Sequence, residues 1–586
     1  MVEGRPKHDR KPRRLSVMRT FACVSCMVWM AAYVSGCAST GERGLFGLSV
    51  EALLEKAQSW ETDAIRAQSA QAQAYAWLQC ATLAHDAMRA TEAAKETAAG
   101  LLATQCSRAF FDLVAQGGPI DVAQGRTTLE GIPVRVEFRG MPDSLGKSAY
   151  LEPADQVSML PLANVRYHHA GFGVPLVAFA LPCSDRAICR LYPPEGVFRP
   201  ATLWLEAASG TGAYDDMPVL VLQNPVLQPE HTAGTNRYEL AEDASAPYAQ
   251  LLERTRLKRL AWWGMIGGAE VGKRSGLFLL DDYDPNKIPI IMIHGVAGSP
   301  LIWARLSNAI MGDPELHRRY QIWHIVYQSN APLLVERYRV QHYIDEAWSV
   351  LDPSNQAPAR RGVVLIGHSM GGVIARLLCA QSTPAVWSAA FTEPLEGLHA
   401  DAADLRALKD IFEFEPYPGV NEIIFMAAPQ RGSPAAEGLL GRMVGLLAWR
   451  NIEEMAAVMR IVGQNPKAIQ PALQAMFKVG HITSITSLRP DEPVTLADEK
   501  LMPAPGVRYD TIAGVLPGIT PPGDGYVPLS SALLPGSTTT LIIRSDHKVP
   551  DRPEAIADVL KILRAHAKQI ASTESLSAAT KDGGSP

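Results

Sequence analysis

From Val363 to Ile366 the chain runs through four β-prone apolar residues, continues as Gly367-His368-Ser369-Met370-Gly371-Gly372, and then enters the apolar stretch Val373 to Leu378. A strand, a glycine-bracketed serine and a helix in that order make a nucleophile elbow. Ser369 has to turn sharply in a backbone conformation that is strained for a residue with a side chain. Gly367 and Gly371 flank it because a Cβ at either position would strike the adjoining strand and helix. Such a turn lifts the serine oxygen above the sheet edge. It also leaves the Met370 N–H at a helix N-terminus, where developing negative charge is favoured.

A serine hydroxyl needs a base to take its proton and an acid to hold the base. An elbow serine takes both from loops after later strands, in the order Ser, Asp or Glu, His. Downstream, Pro522-Gly523-Asp524-Gly525-Tyr526-Val527-Pro528 follows a strand near Tyr509, and Arg544-Ser545-Asp546-His547 follows a strand ending at Ile543. Asp524 is the expected acid and His547 the expected base. Asp510 lies inside an apolar strand, Asp546 is adjacent to the base and points away from it, and His566 lies deep in a C-terminal helix as a solvated residue. An oxyanion needs two donors. Met370 N–H supplies one, and the loop His294-Gly295-Val296-Ala297-Gly298-Ser299-Pro300 supplies the other through Val296 N–H. His294 orients that loop and His368 packs under the elbow. Past Cys37, no C-x-x-C pair or His/Cys cluster has metal-ligand spacing, and the chemistry needs neither metal nor cofactor.

The elements that must position these residues begin at about Gly272, where fully apolar strands alternate with helical stretches. Ile288–Ile293, Ile322–Tyr327, Val363–Ile366, Glu422–Ala427, Tyr509–Ala513 and Thr540–Ile543 are six candidate strands. Strands apolar on both faces and separated by helices predict an α/β fold with a mostly parallel sheet. Between Pro429 and Tyr509 the chain is far longer than a crossover requires. The apolar stretch Leu439 to Trp449, followed by Met455, Met459, Leu473, Met476 and Phe477, predicts a helical insertion at about 431–506. It is either a cap over the serine or a solvated unit with its own core. Upstream, 37–117 is rich in Ala, Gln, Glu and Leu and reads as helical. Residues 118–240 alternate short apolar runs with Pro, Gly and Asp and read as a small β-rich domain, sandwich packing being one arrangement of it. The catalytic region is expected over 241–572 and a disordered tail over 573–586.

With 586 residues the chain exceeds a single core, and 47% hydrophobic residues with a net charge of −5 describe a globular protein with no footprint for nucleic acid. Basic residues from Lys7 to Arg19 precede an uncharged stretch, Thr20 to Gly36, too short to span a bilayer, which predicts a signal segment at 1–36. Met1 and Met18 both offer starts. Cys80 with Cys106 can staple a helical hairpin and Cys183 with Cys189 can close a short loop, though the sequence proves neither pairing. Cys379, on the helix after the elbow, is read as a buried free thiol.

Val34-Ser35-Gly36-Cys37 resembles the lipobox of bacterial lipoproteins. That resemblance implies cleavage before Cys37, acylation of its thiol, and a lipid anchor in the cell envelope; Ala38 after it implies the outer membrane, facing periplasm or exterior. The His294-Gly295-x-x-Gly298 run, the elbow, Ala428-Pro429-Gln430-Arg431-Gly432-Ser433, and Asp524-Gly525 with His547 resemble α/β-hydrolase lipases and esterases. These include lipases related to the inositol deacylase of GPI anchors. The resemblance covers about residues 280 to 568 and departs at Gln430, where related sequences often carry His. It implies an α/β-hydrolase fold and a serine hydrolase of carboxylic, acyl or lipid, esters working through an acyl-enzyme. An acyltransferase of the same fold, or a non-catalytic envelope lipoprotein binding a partner through residues 49–240, are the other readings.

Overall fold

The structure is a computed structural model that describes residues 48–90, 93–116, 118–208, 217–255, 274–435, 453–478 and 483–582. All of them fall within one compact unit, Arg43–Pro586. The expected signal segment 1–36, Cys37 and the apolar stretch 439–449 lie outside the described residues. Among the described residues no helix is long and apolar enough to cross a membrane.

Among the described residues three helices come first: Val50–Arg66, Ala70–Ala87 and Ala93–Val114. Ser49 and Ser69 cap the first two by accepting from the N–H of Ala52 and Ala72, meeting the unpaired donors of a first turn. Cys80 and Cys106 are joined as a disulfide between the second and third helices, and Cys183 is joined to Cys189.

Next comes a seven-stranded sheet of β1 (Ile120–Ala123), β2 (Gly125–Leu129), β3 (Ile132–Arg139), β4 (Ser148–Pro153), β5 (Val174–Ala180), β6 (Val197–Glu206) and β7 (Val219–Gln223). Its order is β1-β4-β5-β6-β7-β3-β2, antiparallel except for β3 beside β7. A sandwich was one expectation for this region, but the sheet is single and its faces are covered by helices. Nine of the ten residues of β6 are buried, because the helices Ala70–Ala87 and Ala93–Val114 pack against it and so does the helix Ala246–Arg254. A short hairpin of β8 (Glu230–Ala233) and β9 (Asn236–Glu239) follows.

The second sheet contains β10 (Gly276–Leu279), β11 (Ile288–Ile293), β12 (Tyr320–Val326), β13 (Val363–His368), β14 (Val420–Met426), β15 (Arg508–Gly514) and β16 (Thr540–Ile543). Its order is β10-β12-β11-β13-β14-β15-β16, and every pair is parallel except β10 with β12. This is the α/β-hydrolase arrangement, and all six expected strands are in it. β10 was missed because four residues at an antiparallel edge carry no buried run.

Side chains alternate between two cores, as the period of two requires. Ile291, Ile293, Leu365 and Phe425 face the helices Leu333–Leu351 and Met370–Leu378. Ile290, Met292, Val364 and Ile366 face the helices Ala304–Met311 and Pro553–Asp582.

Two expectations need correction here. The last helix continues to Asp582, so the tail expected to be disordered from 573 is helical that far; Ala, Glu, Lys and Leu there sustain a helix already nucleated upstream. His566 is not solvated. It is 1% exposed, with its Nε2 2.8 Å from Asn421 Oδ1 and its Nδ1 2.8 Å from the Tyr320 hydroxyl, because its helix lies directly on the sheet. The two halves of the chain also share contacts. Arg199 of β6 reaches Asp282 at 2.5 Å and the Leu280 carbonyl at 2.8 Å, just past β10.

Candidate active site

Ser369 sits where β13 ends and the helix Met370–Leu378 begins, at φ 55° and ψ −130°. That positive φ is unfavourable for a residue with a Cβ and is held by close packing on every side. A Cβ on Gly367 would come within 2.4 Å of the Gly371 carbonyl oxygen, and one on Gly371 within 2.0 Å of the Ile293 carbonyl oxygen. Gly372 is equally confined, since its Cβ would lie 2.4 Å from that of Ala428. Strand, elbow and helix thus meet at distances that only glycine permits.

His547 follows β16 and Asp524 follows β15, and the structure brings both to the serine. His547 Nε2 lies 2.9 Å from Ser369 Oγ, and His547 Nδ1 lies 2.7 Å from Asp524 Oδ2. Asp524 is 2% exposed, and its other oxygen accepts the N–H groups of Tyr526 at 2.9 Å and Val527 at 2.7 Å. Those two donors exist because the loop doubles back at Gly523 and Gly525, the latter at φ 95°. Room for the carboxylate comes from Gly514 at the end of β15, where a Cβ would lie 3.1 Å from that of Asp524. The rival acid Asp510 is buried in β15 and accepts from the backbone N–H of Thr539 at 2.8 Å and from its hydroxyl at 2.5 Å. Asp546 turns to Arg552, 2.8 Å away. Neither approaches His547 as Asp524 does.

The loop after β11 runs against the nucleophile. A Cβ on Gly295 would fall 2.6 Å from Ser369 Cβ and 3.1 Å from its Oγ. Val296 follows, half-buried, and the loop turns through Ala297 at φ 54°, with Gly298 N–H donating to the Gly295 carbonyl at 3.1 Å. Ser329 Oγ fixes the turn by accepting from Ala297 N–H at 2.8 Å. Among the described residues, no loop or turn hydrogen bond engages Val296 N–H or Met370 N–H.

Neither remaining histidine competes for the base. His294 is buried, stacked on Tyr327 with ring centroids 4.4 Å apart, and its Nδ1 lies 2.9 Å from the Gly295 carbonyl oxygen; burial lowers its pKa to about 4. His368 is buried with its Nε2 2.8 Å from the His547 carbonyl oxygen, so its Nε2–H donates there. Burial first, and then the neighbouring His547 ring, lower its pKa to about 3, which keeps it a neutral donor.

Sequence reasoning missed several supports. Tyr526, half exposed, places its ring 5.3 Å from that of His547. Ser329 props the Val296 loop from the end of β12, and its carbonyl accepts from Ser484 Oγ at 2.5 Å. Gln430 does no chemistry at the serine. Its Oε1 accepts from Arg376 Nε at 2.7 Å, and Arg376, wholly buried in the elbow helix, also donates to the carbonyls of Asp498 and Leu501 at 2.6 Å. Arg376 thereby ties the insertion to the elbow helix, and Gln430 braces its guanidinium. The insertion's described helices, Glu453–Gln464, Pro471–Lys478 and Pro493–Asp498, contribute to an apolar cavity of about 70 Å³. Leu333, Phe391, Phe412, Met455 and Phe477 are in its wall, whereas Ser369, Asp524 and His547 are not. The buried residues of the insertion, Met455, Val458, Ile461 and Leu473 among them, share one core with Leu333, Val373 and Phe391, so its described part packs onto the helices Leu333–Leu351 and Met370–Leu378 and has no separate core.

No family model matches this sequence, and no curated protein matches it. Solved structures do resemble it. A lipase from Bacillus licheniformis in its mature form has 17% identity, covering 49% of this chain and 97% of that chain at a TM-score of 0.29. Lipase 1 from Pelosinus fermentans has 12% identity, covering 48% of this chain and 99% of that chain at a TM-score of 0.30. Esterase B from Lactobacillus rhamnosis has 14% identity, covering 51% of this chain and 83% of that chain at a TM-score of 0.27. The likeness is distant, to the fold of lipases and esterases, and spans about half of the chain.

Proposed function

We propose that this chain is a serine hydrolase that cleaves carboxylic esters, with acyl or lipid esters as its substrate class, through an acyl-enzyme. The observation that carries the reading is the unbroken relay from Asp524 Oδ2 to His547 Nδ1 and from His547 Nε2 to Ser369 Oγ, at 2.7 and 2.9 Å. His547 Nε2 takes the hydroxyl proton as Oγ bonds to the ester carbonyl carbon. The carbonyl oxygen, now an oxyanion, accepts from Val296 N–H and Met370 N–H. The C–O bond to the alcohol then breaks, and the alcohol leaves with the proton from His547. Water, activated by the same imidazole, releases the acid. Asp524 holds the ring and stabilises its cationic form without taking the proton.

The same reading places the enzyme at a cell envelope, tethered through acylated Cys37. What supports that location is the lipobox pattern together with two disulfides, which suit an oxidising compartment. A fluorophosphonate probe tests the chemistry: wild type should be labelled and Ser369→Ala should not. Equal labelling of the two would overturn the assignment. Growth with labelled palmitate, comparing wild type with Cys37→Ala, tests the anchor.

A further inference from the structure

A second cluster of reactive side chains lies in the N-terminal half and shares no residue with the site above. His85 comes from the helix Ala70–Ala87, Glu206 from the end of β6, and His231 from β8. Their ligating atoms all lie within 4.8 Å of one another. His85 Nε2 is 2.9 Å from His231 Nε2 and 3.8 Å from Glu206 Oε1. The rings are fixed by packing: His231 stacks on Phe172 with centroids 5.3 Å apart and lies 4.7 Å from the Trp204 ring.

Two imidazole nitrogens facing each other at this distance either share one hydrogen bond or aim both lone pairs at a cation. We propose that His85, His231 and Glu206 form a site for a divalent transition-metal cation, zinc fitting best, which clamps the second helix to the sheet and hairpin beneath it. Two histidines and one carboxylate are a zinc donor set, and imidazole ligands favour zinc, copper or nickel over magnesium or calcium. Both rings turn Nε2 toward each other between helix and hairpin, with Glu206 close by.

Arg139 is the group that must yield. It gives Nη1 to Glu206 Oε1 at 2.6 Å and Nη2 to Oε2 at 2.8 Å, while Trp204 Nε1 gives a further bond to Oε1 at 2.7 Å. Arg139 also holds Glu137 Oε2, through Nε at 3.2 Å and Nη2 at 2.8 Å. It therefore keeps a carboxylate partner when Glu206 turns an oxygen to the ion. Its remaining contact orients the ligand, as an outer-sphere partner does.

The test uses the full chain without a polyhistidine tag, stripped with EDTA, dialysed, and titrated with zinc chloride while bound metal is counted by mass spectrometry. Wild type should retain about one zinc per chain, melt higher with zinc than with EDTA, and bind at least ~100-fold more tightly than His231→Gln. Should that variant fail to fold, Co(II) added to wild type gives an independent reading, because imidazole-ligated cobalt shows visible d–d bands. Equal zinc in wild type and His231→Gln, or wild type without both retained zinc and cobalt bands, overturns the site and leaves a histidine pair that shares a proton.

Discussion

Gly295 lies so close to Ser369 that a single added methyl group would sit 2.6 Å from the serine Cβ. The loop carrying Val296 is thus pressed onto the nucleophile, and one donor's position depends on a residue without a side chain. Gly295→Ala should lower kcat toward a short-chain ester by roughly 10- to 100-fold through a displaced oxyanion donor. The added strain should cost about 1–3 kcal/mol of stability. Ester turnover and thermal melting of the same preparation check this, and an unchanged kcat would mean that the loop takes no part in oxyanion binding.

Asp524 accepts three hydrogen bonds, one from His547 and two from its own loop. Asn in its place keeps a side-chain oxygen for the loop N–H groups but turns an NH₂ group toward His547 Nδ1, favouring the wrong tautomer. Asp524→Asn should reduce kcat roughly 10³- to 10⁴-fold while the melting temperature stays near that of wild type. Asp510→Asn, altering a carboxylate that serves Thr539, should leave the mechanism intact. Comparable losses in both variants would exclude Asp524 as the acid.

His566 gives a pH-dependent stability with a definite sign. Burial lowers its pKa from 6.5 to about 4 in the folded chain, with the nearby Arg508 and Arg319 adding to the shift. The unfolded chain therefore binds a proton below pH 6.5 that the folded chain refuses until about pH 4. Stability from this group is present above pH 6.5 and is lost as pH falls through that window. His566→Gln should be less stable than wild type at pH 7.5, and the gap should shrink by about 2 kcal/mol on going to pH 4.5. Urea unfolding at the two pH values measures it; a constant gap would mean that the histidine is not desolvated.

Much of the half that carries Ser369 was legible because its signals are local. Ser369 needs glycine on both sides, and the strand before it is apolar on both faces, so four neighbouring residues report their own burial. Asp524 and His547 each lie within a few residues of a strand end, and the fold's strand order supplies the rest. β10 stayed hidden because an edge strand of four residues buries only one face and has no run to display. His566 was misread because helical position alone does not say which side of a long helix meets the sheet.

By itself the sequence determined the strand, serine and helix turn at Ser369, the places of Asp524 and His547 after later strands, and the parallel sheet that presents them. Each of these follows from backbone sterics and burial periodicity acting over a few residues. Only the tertiary structure decided that Gln430 serves Arg376 rather than the serine, that Ser329 props the Val296 loop, and that Cys80 meets Cys106. It alone brought His85, Glu206 and His231 together, from positions so far apart in the chain that their spacing carries no signal. Such contacts arise when helices and strands dock and close long loops, and the free energy that selects them is spread over a whole core, not written in any one segment.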